Sequence, residues 1–256
     1  MFKKLGHEVP EWFQNPIKDQ TFNVEKNQFM LNFFNSYCKH FPIRGLEVGV
    51  LAAQGSTKLW LNNCLAESTF FLIDEWDSDI SDFFTFTESA DKYIHLAQKL
   101  LTSDFYSEAI LTIKEIQRRR WEDKLDINIV RGKSDSVMSF LPTGVFDFIY
   151  LDGNHLYEGV KRDIIHSKRL VNKHFGIICG DDLEKIPTTK LYEYAKKFPN
   201  SDYLREPEHD YHPGVLSAVY EEFGESGVNM AHGFWWIFCV NSKFTKTIPE
   251  VWDDEN

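Results

Sequence analysis

The clearest feature in the pattern of hydrophobic and polar positions is the segment 145–155, VFDFIYLDGNH. Its apolar run, which ends at Leu151, predicts a buried strand of a parallel sheet, because such strands are covered on both faces. The run stops at Asp152, and His155 follows three residues later. Ligands of open α/β sheets bind beyond the carboxyl ends of the strands, so this strand end is a candidate site for chemistry.

Further short apolar runs predict four more strands, at 45–50, 69–73, 127–132 and 175–179. Segments with an apolar residue every three or four positions lie between these runs and predict helices that pack one face on a sheet. The tail adds a short helix, a second helix that begins at Pro213, and a last strand at 233–240. This alternation predicts an α/β fold with a doubly wound, mainly parallel sheet whose last strand is antiparallel.

Two segments flank or interrupt this alternation. Residues 1–42 are predicted to be a helical lead-in, because Phe29, Phe33 and Tyr37 recur four apart on one helix face. After the second strand, the insertion 80–125 is longer than a plain crossover needs, and its pattern predicts two helices of about 15 residues each. We expect this insertion to form a lid or a subunit contact in a homo-oligomer.

Composition narrows the class of protein. A chain of 256 residues that is 43% hydrophobic fits one domain, 1–256, with a full core. The formal net charge of -11 argues against nucleic acid or an anionic membrane as a partner, because phosphate binding needs a basic face. The four cysteines lack any C-x-x-C spacing, and no signal peptide or membrane-spanning run is evident. We therefore expect a cytoplasmic protein.

Polar residues follow all five predicted parallel strands, and the ends of such strands lie on one edge of the sheet. Three of these residues are carboxylates on two neighbouring strands, Asp152, Asp181 and Asp182. They would repel one another unless a cation joined them, and an all-oxygen site suits Mg²⁺. The alternative is that the adjacent acids cap a helix. His155 can take a proton near neutral pH, or it can merely cap the helix that begins near Leu156.

The first strand leads through Gly49 and a turn into a helix that opens with Gly55-Ser56-Thr57. A helix end of this kind offers free N–H groups to a carboxylate or phosphate. Asp74 ends the second strand, where a nucleotide-binding unit holds ribose hydroxyls. The glycines do not form G-x-G-x-x-G, so ordinary turn glycines are the alternative. Ser134 and Asp135 follow the third strand and could equally cap the next helix.

Together these features resemble the class I S-adenosylmethionine-dependent methyltransferases, and in particular the metal-dependent O-methyltransferases of the catechol and macrolide-sugar (macrocin and mycinamicin) type. The resemblance spans 45–183 and rests on motifs in the family's order: Glu47-Val48-Gly49, Gly55-Ser56-Thr57, Asp74, Gly132 to Asp135, Asp152 to His155 and Asp181-Asp182. It implies a Rossmann-like sheet of seven strands. Ala53-Gln54 stands where the family has a glycine.

The resemblance also implies roles for individual residues. The methionine part of the cofactor would be surrounded by Glu47, Gly49, Gly55, Ser56 and Thr57. Asp74 would hold the ribose, Ser134 and Asp135 would meet the adenine, and Asp152 would lie beside the cofactor. The magnesium ligands would be Asp152, Asp181 and Asp182.

His155 stands where the family places its general base, which is a histidine in the sugar-modifying enzymes. The resemblance therefore favours a sugar or another aliphatic diol over a catechol as the small-molecule substrate. Aromatic side chains that could line its pocket, with core packing as the alternative, are Phe83, Phe84, Tyr203, Tyr211, Trp235 and Trp236. For the run His209 to His212 we expect a substrate-side or structural role, with metal ligation as the alternative.

Two other functions remain open from the sequence. The first is a nicotinamide-dependent oxidoreductase on a similar sheet, which the missing G-x-G-x-x-G and the acids after the fifth strand disfavour. The second is a non-catalytic cofactor-binding subunit that acts through its insertion and tail. Fold alone does not separate these functions, because one fold hosts many.

Overall fold

The computed structural model describes residues 24–76, 104–206 and 209–248. The strands in these ranges are β1 Arg44–Val48, β2 Thr69–Asp74, β3 Asp126–Arg131, β4 Phe148–Leu151, β5 Phe175–Gly180, β6 Leu204–Glu206, β7 His209–Tyr211, β8 Asn229–Ala231, β9 Phe234–Val240 and β10 Lys243–Thr245. The α-helices are α1 Val24–Cys38, α2 Ser56–Asn63, α3 Phe105–Arg119, α4 Ser134–Phe140, α5 Tyr157–Leu170, α6 Thr189–Ala195 and α7 Pro213–Phe223.

One sheet organises the fold, with the strand order β10-β9-β5-β4-β1-β2-β3 and β8 paired to β9. The strands β1 to β5 are parallel to their neighbours among themselves, whereas β9 runs antiparallel to β5. The chain proceeds outward from β1 through β2 to β3, then returns to β4 on the other side of β1. The order therefore reverses between β1 and β4, which is where ligands bind in such sheets.

The predicted fold class is confirmed, and the antiparallel part is larger than expected. The described sheet has eight strands, of which β8, β9 and β10 form antiparallel pairs. The strands β8 and β10 have three residues each, too few to produce a recognisable alternation. The same holds for the hairpin of β6 and β7, which lies between the two predicted helices of the tail.

The core lies on both faces of the sheet, and β4 shows why. Successive side chains of a strand point to opposite faces. Phe148 and Tyr150 therefore pack with α1, α2 and α3, while Ile149 and Leu151 pack with α4, α5 and α7. All four residues are buried, as the continuous apolar run predicted.

The two flanking segments are described in part. Within the predicted lead-in, α1 covers Val24–Cys38, and residues 1–23 lie outside the described ranges. Within the predicted insertion, the 15-residue α3 and a 3₁₀ turn at Trp121–Asp123 are seen, and residues 77–103, including Phe83 and Phe84, lie outside. The single domain and the lid or subunit contact stay predictions. No helix of the described ranges is both long and apolar enough to cross a bilayer.

Candidate functional site

The carboxyl ends of β4 and β5 bring the three predicted carboxylates together. Leu151 is paired with Gly180 in the sheet, so Asp152 and Asp181 leave adjacent strands at the same level. The buried hydroxyl of Tyr150 lies 3.3 Å from Asp152 Oδ2 and 3.3 Å from Asp181 Oδ2. These acids and His155 line one cleft.

Asp181 and Asp182 differ in charge environment although they are neighbours. Burial and the negative charges of Asp182 and Asp152 raise the pKa of Asp181 to about 7. Burial acts in the same direction on Asp182, but the positive charge of His155 and its hydrogen bond outweigh it and hold the pKa of Asp182 below its usual range. Asp182 also has a left-handed backbone (φ 61), and its N–H donates to Asp181 Oδ1 at 2.7 Å. The acids therefore form one linked cluster.

Lys26 supplies a positive charge to this cluster that the sequence did not predict. Its Nζ forms an ion pair with Asp181 Oδ2, and the two side chains are only 15% and 10% exposed. A signal was present in the sequence, because Lys26 lies three and seven residues before Phe29 and Phe33 on the apolar face of α1. A lysine on the buried face of a helix needs an anionic partner.

His155 points into the cluster instead of capping α5. Its Nδ1 lies 3.0 Å from Asp202 Oδ1, and its Nε2 lies 3.0 Å from Asp182 Oδ2 and 3.9 Å from Asp152 Oδ1. Asn154 Oδ1 accepts the N–H of Leu156, the N-cap residue of α5, at 2.7 Å. Burial favours the neutral ring, but the surrounding carboxylates outweigh it and raise the pKa of His155 well above its usual value.

Two acids next to His155 and His212, Asp202 and Glu184, were missed by sequence reasoning. Asp202 and Glu184 lie in irregular segments without a motif, and His212 precedes α7. His212 Nδ1 lies 2.7 Å from Glu184 Oε1, and its ring centroid is 4.8 Å from that of His155. The run His209 to His212 was the available signal for His212. His212 lies against the acidic cluster, and the substrate-side or structural role expected for the run stays a prediction.

The donors fit a divalent cation, although not in the predicted combination. Among the described residues, ligand atoms of Asp152, His155 and Asp182 lie within 4.8 Å of one another, as do two groups that contain His212. Asp181 belongs to none of these groups, and its Oδ2 is paired with Lys26. The buried carboxylates repel one another, which raises the pKa of Asp181, and a positive charge among them would reduce this repulsion. Carboxylate oxygens are also ligands that suit Mg²⁺ or Mn²⁺.

Glu47 marks the other side of the site, on β1. It is fully buried, and its Oε1 accepts a hydrogen bond from Ser56 Oγ at 2.5 Å. Burial raises its pKa to about 8, although the hydroxyls of Ser56 and Thr57 oppose the shift. Its Oε2 has no hydrogen-bond partner among the described residues. A buried polar atom without a partner, beside the predicted methionine site, is the observation that fits a cofactor there.

The loop after β1 lies directly against the loop after β4. Gly49 has φ +87, and a Cβ at this position would lie 1.8 Å from the carbonyl oxygen of Asp152. Gly55 is the N-cap residue of α2. Ala53, which stands where the family has glycine, has a left-handed backbone with φ 58. The loop therefore keeps a conformation that glycine favours without the glycine.

Asp74 holds this loop in place. Its Oδ2 accepts the N–H groups of Val50 and Leu51, each at 2.8 Å, and its Oδ1 accepts that of Trp76 at 2.8 Å. Both carboxylate oxygens thus bond the chain's own backbone at the edge of the sheet. The ribose contact of Asp74 stays a prediction.

Ser134 and Asp135 open α4 but do not cap it with their side chains. The N-cap residue is Lys133, which makes no side-chain cap. Ser134 Oγ donates to Asp163 Oδ1 at 2.6 Å, and Asp135 Oδ1 lies 2.8 Å from His166 Nε2. These side chains join α4 to α5, and their contact with adenine stays a prediction.

The candidate pocket aromatics divide between packing and the site. Tyr211 is buried in the core, which agrees with the packing alternative, whereas Trp235 is buried and also lines the cleft of the acidic cluster. Trp236 packs against Phe29 of α1, with ring centroids 5.5 Å apart. Tyr203 lies beside the acidic cluster, with its ring centroid 4.7 Å from that of His212.

Comparisons with known proteins agree with this architecture. Residues 46–183, more than half of the chain, match a family model described as "Methyltransferase domain". No curated protein sequence matches the chain. A Klebsiella pneumoniae structure provisionally described as an O-methyltransferase is 13% identical, with 94% of each chain covered and a TM-score of 0.52. That likeness supports the fold.

Two further similar structures have bound ligands. The O-methyltransferase from Bacillus cereus, in complex with SAH, is 12% identical and has a TM-score of 0.48, with 85% of this chain and 81% of that chain covered. The O-methyltransferase TomG from Streptomyces achromogenes, involved in tomaymycin synthesis and in complex with SAM, is 13% identical and has a TM-score of 0.48, with 85% and 80% covered.

Proposed function

This chain belongs to the methyltransferase domain family, and from that premise we propose that it is an S-adenosylmethionine-dependent O-methyltransferase assisted by a divalent cation. The proposed acceptor is a hydroxyl group of a small molecule such as a sugar or another diol. Membership of this family removes the support for a nicotinamide-dependent oxidoreductase. A non-catalytic cofactor-binding subunit remains as an outcome of the test below.

The contact between Gly49 and Asp152 is the observation that carries the proposal. It joins the predicted cofactor loop to the acidic cluster with no side chain between them. A methyl donor bound at Glu47 and Gly49 would therefore lie next to an acceptor bound at Asp152 and His155. Holding the methyl donor and the acceptor next to each other accounts for much of the acceleration in a methyl transfer.

In the acidic cluster, Asp152 and Asp182 would hold the cation, and Asp181 would join them once its oxygen is released from Lys26. When bound, S-adenosylmethionine supplies an electrophilic methyl group, and the cation lowers the pKa of the acceptor hydroxyl. A diol would offer two neighbouring oxygens to a cation held in this cluster, whereas a simple alcohol would offer one. This difference, together with the histidine at position 155, supports a diol over a simple alcohol.

His155 is the proposed general base, and Asp202 fixes its orientation. With Nδ1 held by Asp202, the ring presents Nε2 to the cleft beside Asp152 and Asp182. Nε2 would accept the proton of the acceptor hydroxyl while the hydroxyl oxygen bonds to the methyl carbon and the carbon–sulfur bond of the cofactor breaks, which leaves S-adenosylhomocysteine. The negative charges of the same carboxylates raise the pKa of His155, so a cation on them opposes that shift and favours the neutral ring that a base requires.

The proposal is tested by methyl transfer from labelled S-adenosylmethionine to a panel of sugars, aliphatic diols and catechols. We expect turnover with a diol, loss of turnover with EDTA or in Asp182→Asn, and unchanged calorimetric binding of S-adenosylmethionine in both cases. Asp126→Asn is the matched control, because Asp126 is exposed at the opposite end of β3. Full turnover after chelation would remove the cation from the mechanism, and cofactor binding without transfer to any acceptor would favour the non-catalytic subunit.

A further inference from the structure

Lys26 lies in the acidic cluster although it is far in sequence from the acids of that cluster. It is 155 residues from Asp181, its partner, and both side chains are largely buried. No other lysine or arginine in the described ranges forms an ion pair with Asp152, Asp181 or Asp182. Two histidines also face these acids, His155 and His212, the latter with Nδ1 3.9 Å from Asp182 Oδ1.

Aromatic packing fixes the position of Lys26. Phe29 and Phe33 of α1 pack against Phe234 and Trp236 of β9, with ring centroids between 5.2 and 6.0 Å apart. The strand β9 is antiparallel to β5, so its first residues lie beside the end of β5 that leads into Asp181. Lys26 is one helical turn before Phe29, on the same face, and its side chain therefore reaches the acids.

The ammonium of Lys26 remains charged in this environment. Burial alone would lower its pKa, but the charges of Asp181, Asp182 and Asp152 outweigh burial and raise it. The pair is also favourable for the acids, because a buried carboxylate without a positive neighbour is costly. Lys26 thus provides the positive charge that a metal ion would otherwise bring to Asp181.

We propose that the Lys26 ammonium and a divalent cation are alternative occupants of this acidic cluster, so that cation binding requires Lys26 to leave Asp181. The inference rests on the proposed cation site. Two positive charges on one carboxylate oxygen repel each other, and the repulsion is strong where water is excluded. By thermodynamic linkage, the position of α1 then controls cation affinity, and a bound cation changes the free energy of α1 docking by the same amount.

The test is the affinity of the protein for Mn²⁺ alone, measured from the electron paramagnetic resonance signal of unbound Mn²⁺. Lys26→Met keeps the apolar stem and removes the charge, and we expect its dissociation constant to be at least about tenfold lower than that of the wild type. Lys26→Arg keeps the charge and should bind as weakly as the wild type. Lys39→Met is the control for a lost charge at an exposed site just after α1.

Thermal unfolding gives a second measurement that does not depend on activity. In EDTA, Lys26→Met should unfold at a lower temperature than Lys39→Met. Addition of Mn²⁺ should raise the Tm of Lys26→Met more than it raises the Tm of the wild type. Lys26→Gln replaces Lys26→Met if the latter does not fold.

Two results would overturn the inference, and they differ in meaning. Equal Mn²⁺ affinity in the wild type and Lys26→Met, with binding abolished in Asp182→Asn, would reject the role of Lys26 and leave the cation site intact. Absence of Mn²⁺ binding in the wild type and in every Lys26 variant would reject the cation site itself, and with it this inference.

Discussion

Glu47 is a carboxyl group enclosed in the core beside the predicted cofactor loop, and its burial has a measurable consequence. The folded protein retains the Glu47 proton up to about pH 8, whereas the unfolded chain releases it near pH 4.5. Because the folded state binds more protons across this interval, the free energy of unfolding falls as the pH rises from 4.5 to 8. Below pH 4.5 the contribution is fully present.

A Glu47→Gln variant should therefore lose less stability than the wild type between pH 4.5 and 8. The amide keeps the acceptor for Ser56 Oγ but does not titrate. Thermal unfolding across this pH range measures the effect, and Glu75→Gln, at an exposed position after β2, should keep the slope of the wild type. Parallel curves for the wild type and Glu47→Gln would show that Glu47 is ionised in the folded protein.

Asp202 contacts His155 although the two residues are 47 positions apart in sequence. Because Asp202 does not follow a strand of the main sheet, its substitution separates its role from that of the carboxylates at the strand ends. Asp202→Asn should lower kcat about 10- to 100-fold, as loss of a supporting hydrogen bond does at other metal sites, and leave the Kd for S-adenosylmethionine unchanged. Steady-state kinetics with the identified acceptor and calorimetry with the cofactor provide the two numbers. An unchanged kcat would mean that the ring of His155 is held without Asp202.

Among single residues, the sequence predicted those that directly follow strands and missed those that arrive from elsewhere. Asp152, Asp181 and His155 were accessible because an apolar run ends where they begin. Asp202 and Lys26 reach the same cluster through packing of segments far apart in sequence, and no local pattern shows such a contact. Of these two residues, only Lys26 could have been recognised from the sequence, as a charge on the apolar face of α1.

At the scale of secondary structure elements, the connection between β1 and α2 depends on the approach of two backbones. Gly49→Ala introduces both a strained φ and a Cβ inside van der Waals distance of Asp152. Gly144 offers a matched control, because it also has a positive φ, of +73, but a Cβ there would meet only Lys173 Cγ at 3.8 Å.

Gly144→Ala should thus cost about 1 to 2 kcal/mol, the ordinary penalty for a left-handed residue with a side chain. Gly49→Ala should cost more and should also abolish binding of S-adenosylmethionine, because the loops after β1 and β4 must separate. Chemical denaturation and calorimetric titration test the two effects. Similar losses of stability in the two variants, with cofactor binding retained, would contradict the importance of this contact.

The sequence predicted the strands that are long enough to show a hydrophobic pattern, and it missed the strands of three residues. The strands β1 to β5 and β9 have four to seven residues each, with apolar runs that Glu47 interrupts in β1 and Asn128 in β3, and the structure contains them within a few residues of the predicted limits. The strands β6, β7, β8 and β10 have three residues each, and their existence depends on partners that the chain supplies only after folding.

For the whole molecule, the two-sided burial of the sheet sets stability. Phe148 contacts Phe34 and Trp60, with ring centroids 5.2 and 5.0 Å away, and is fully buried. Phe148→Ala should therefore cost about 3–5 kcal/mol. Phe140→Ala is the control, since Phe140 is 89% exposed and its loss should change stability by no more than about 0.5 kcal/mol. Urea denaturation compares them, and equal midpoints would contradict the assigned core.

The antiparallel pairing of β9 with β5 has a consequence for synthesis of the protein. Until Phe234–Val240 has left the ribosome, the outer edge of β5 lacks its partner, and its backbone N–H and C=O groups are open to other chains. The same strand provides the surface on which α1 docks. A nascent chain that stops before β9 therefore has no partner for β5 and no surface on which α1 can place Lys26. The acidic cluster then assembles late, and the unpaired edge of β5 can aggregate before that.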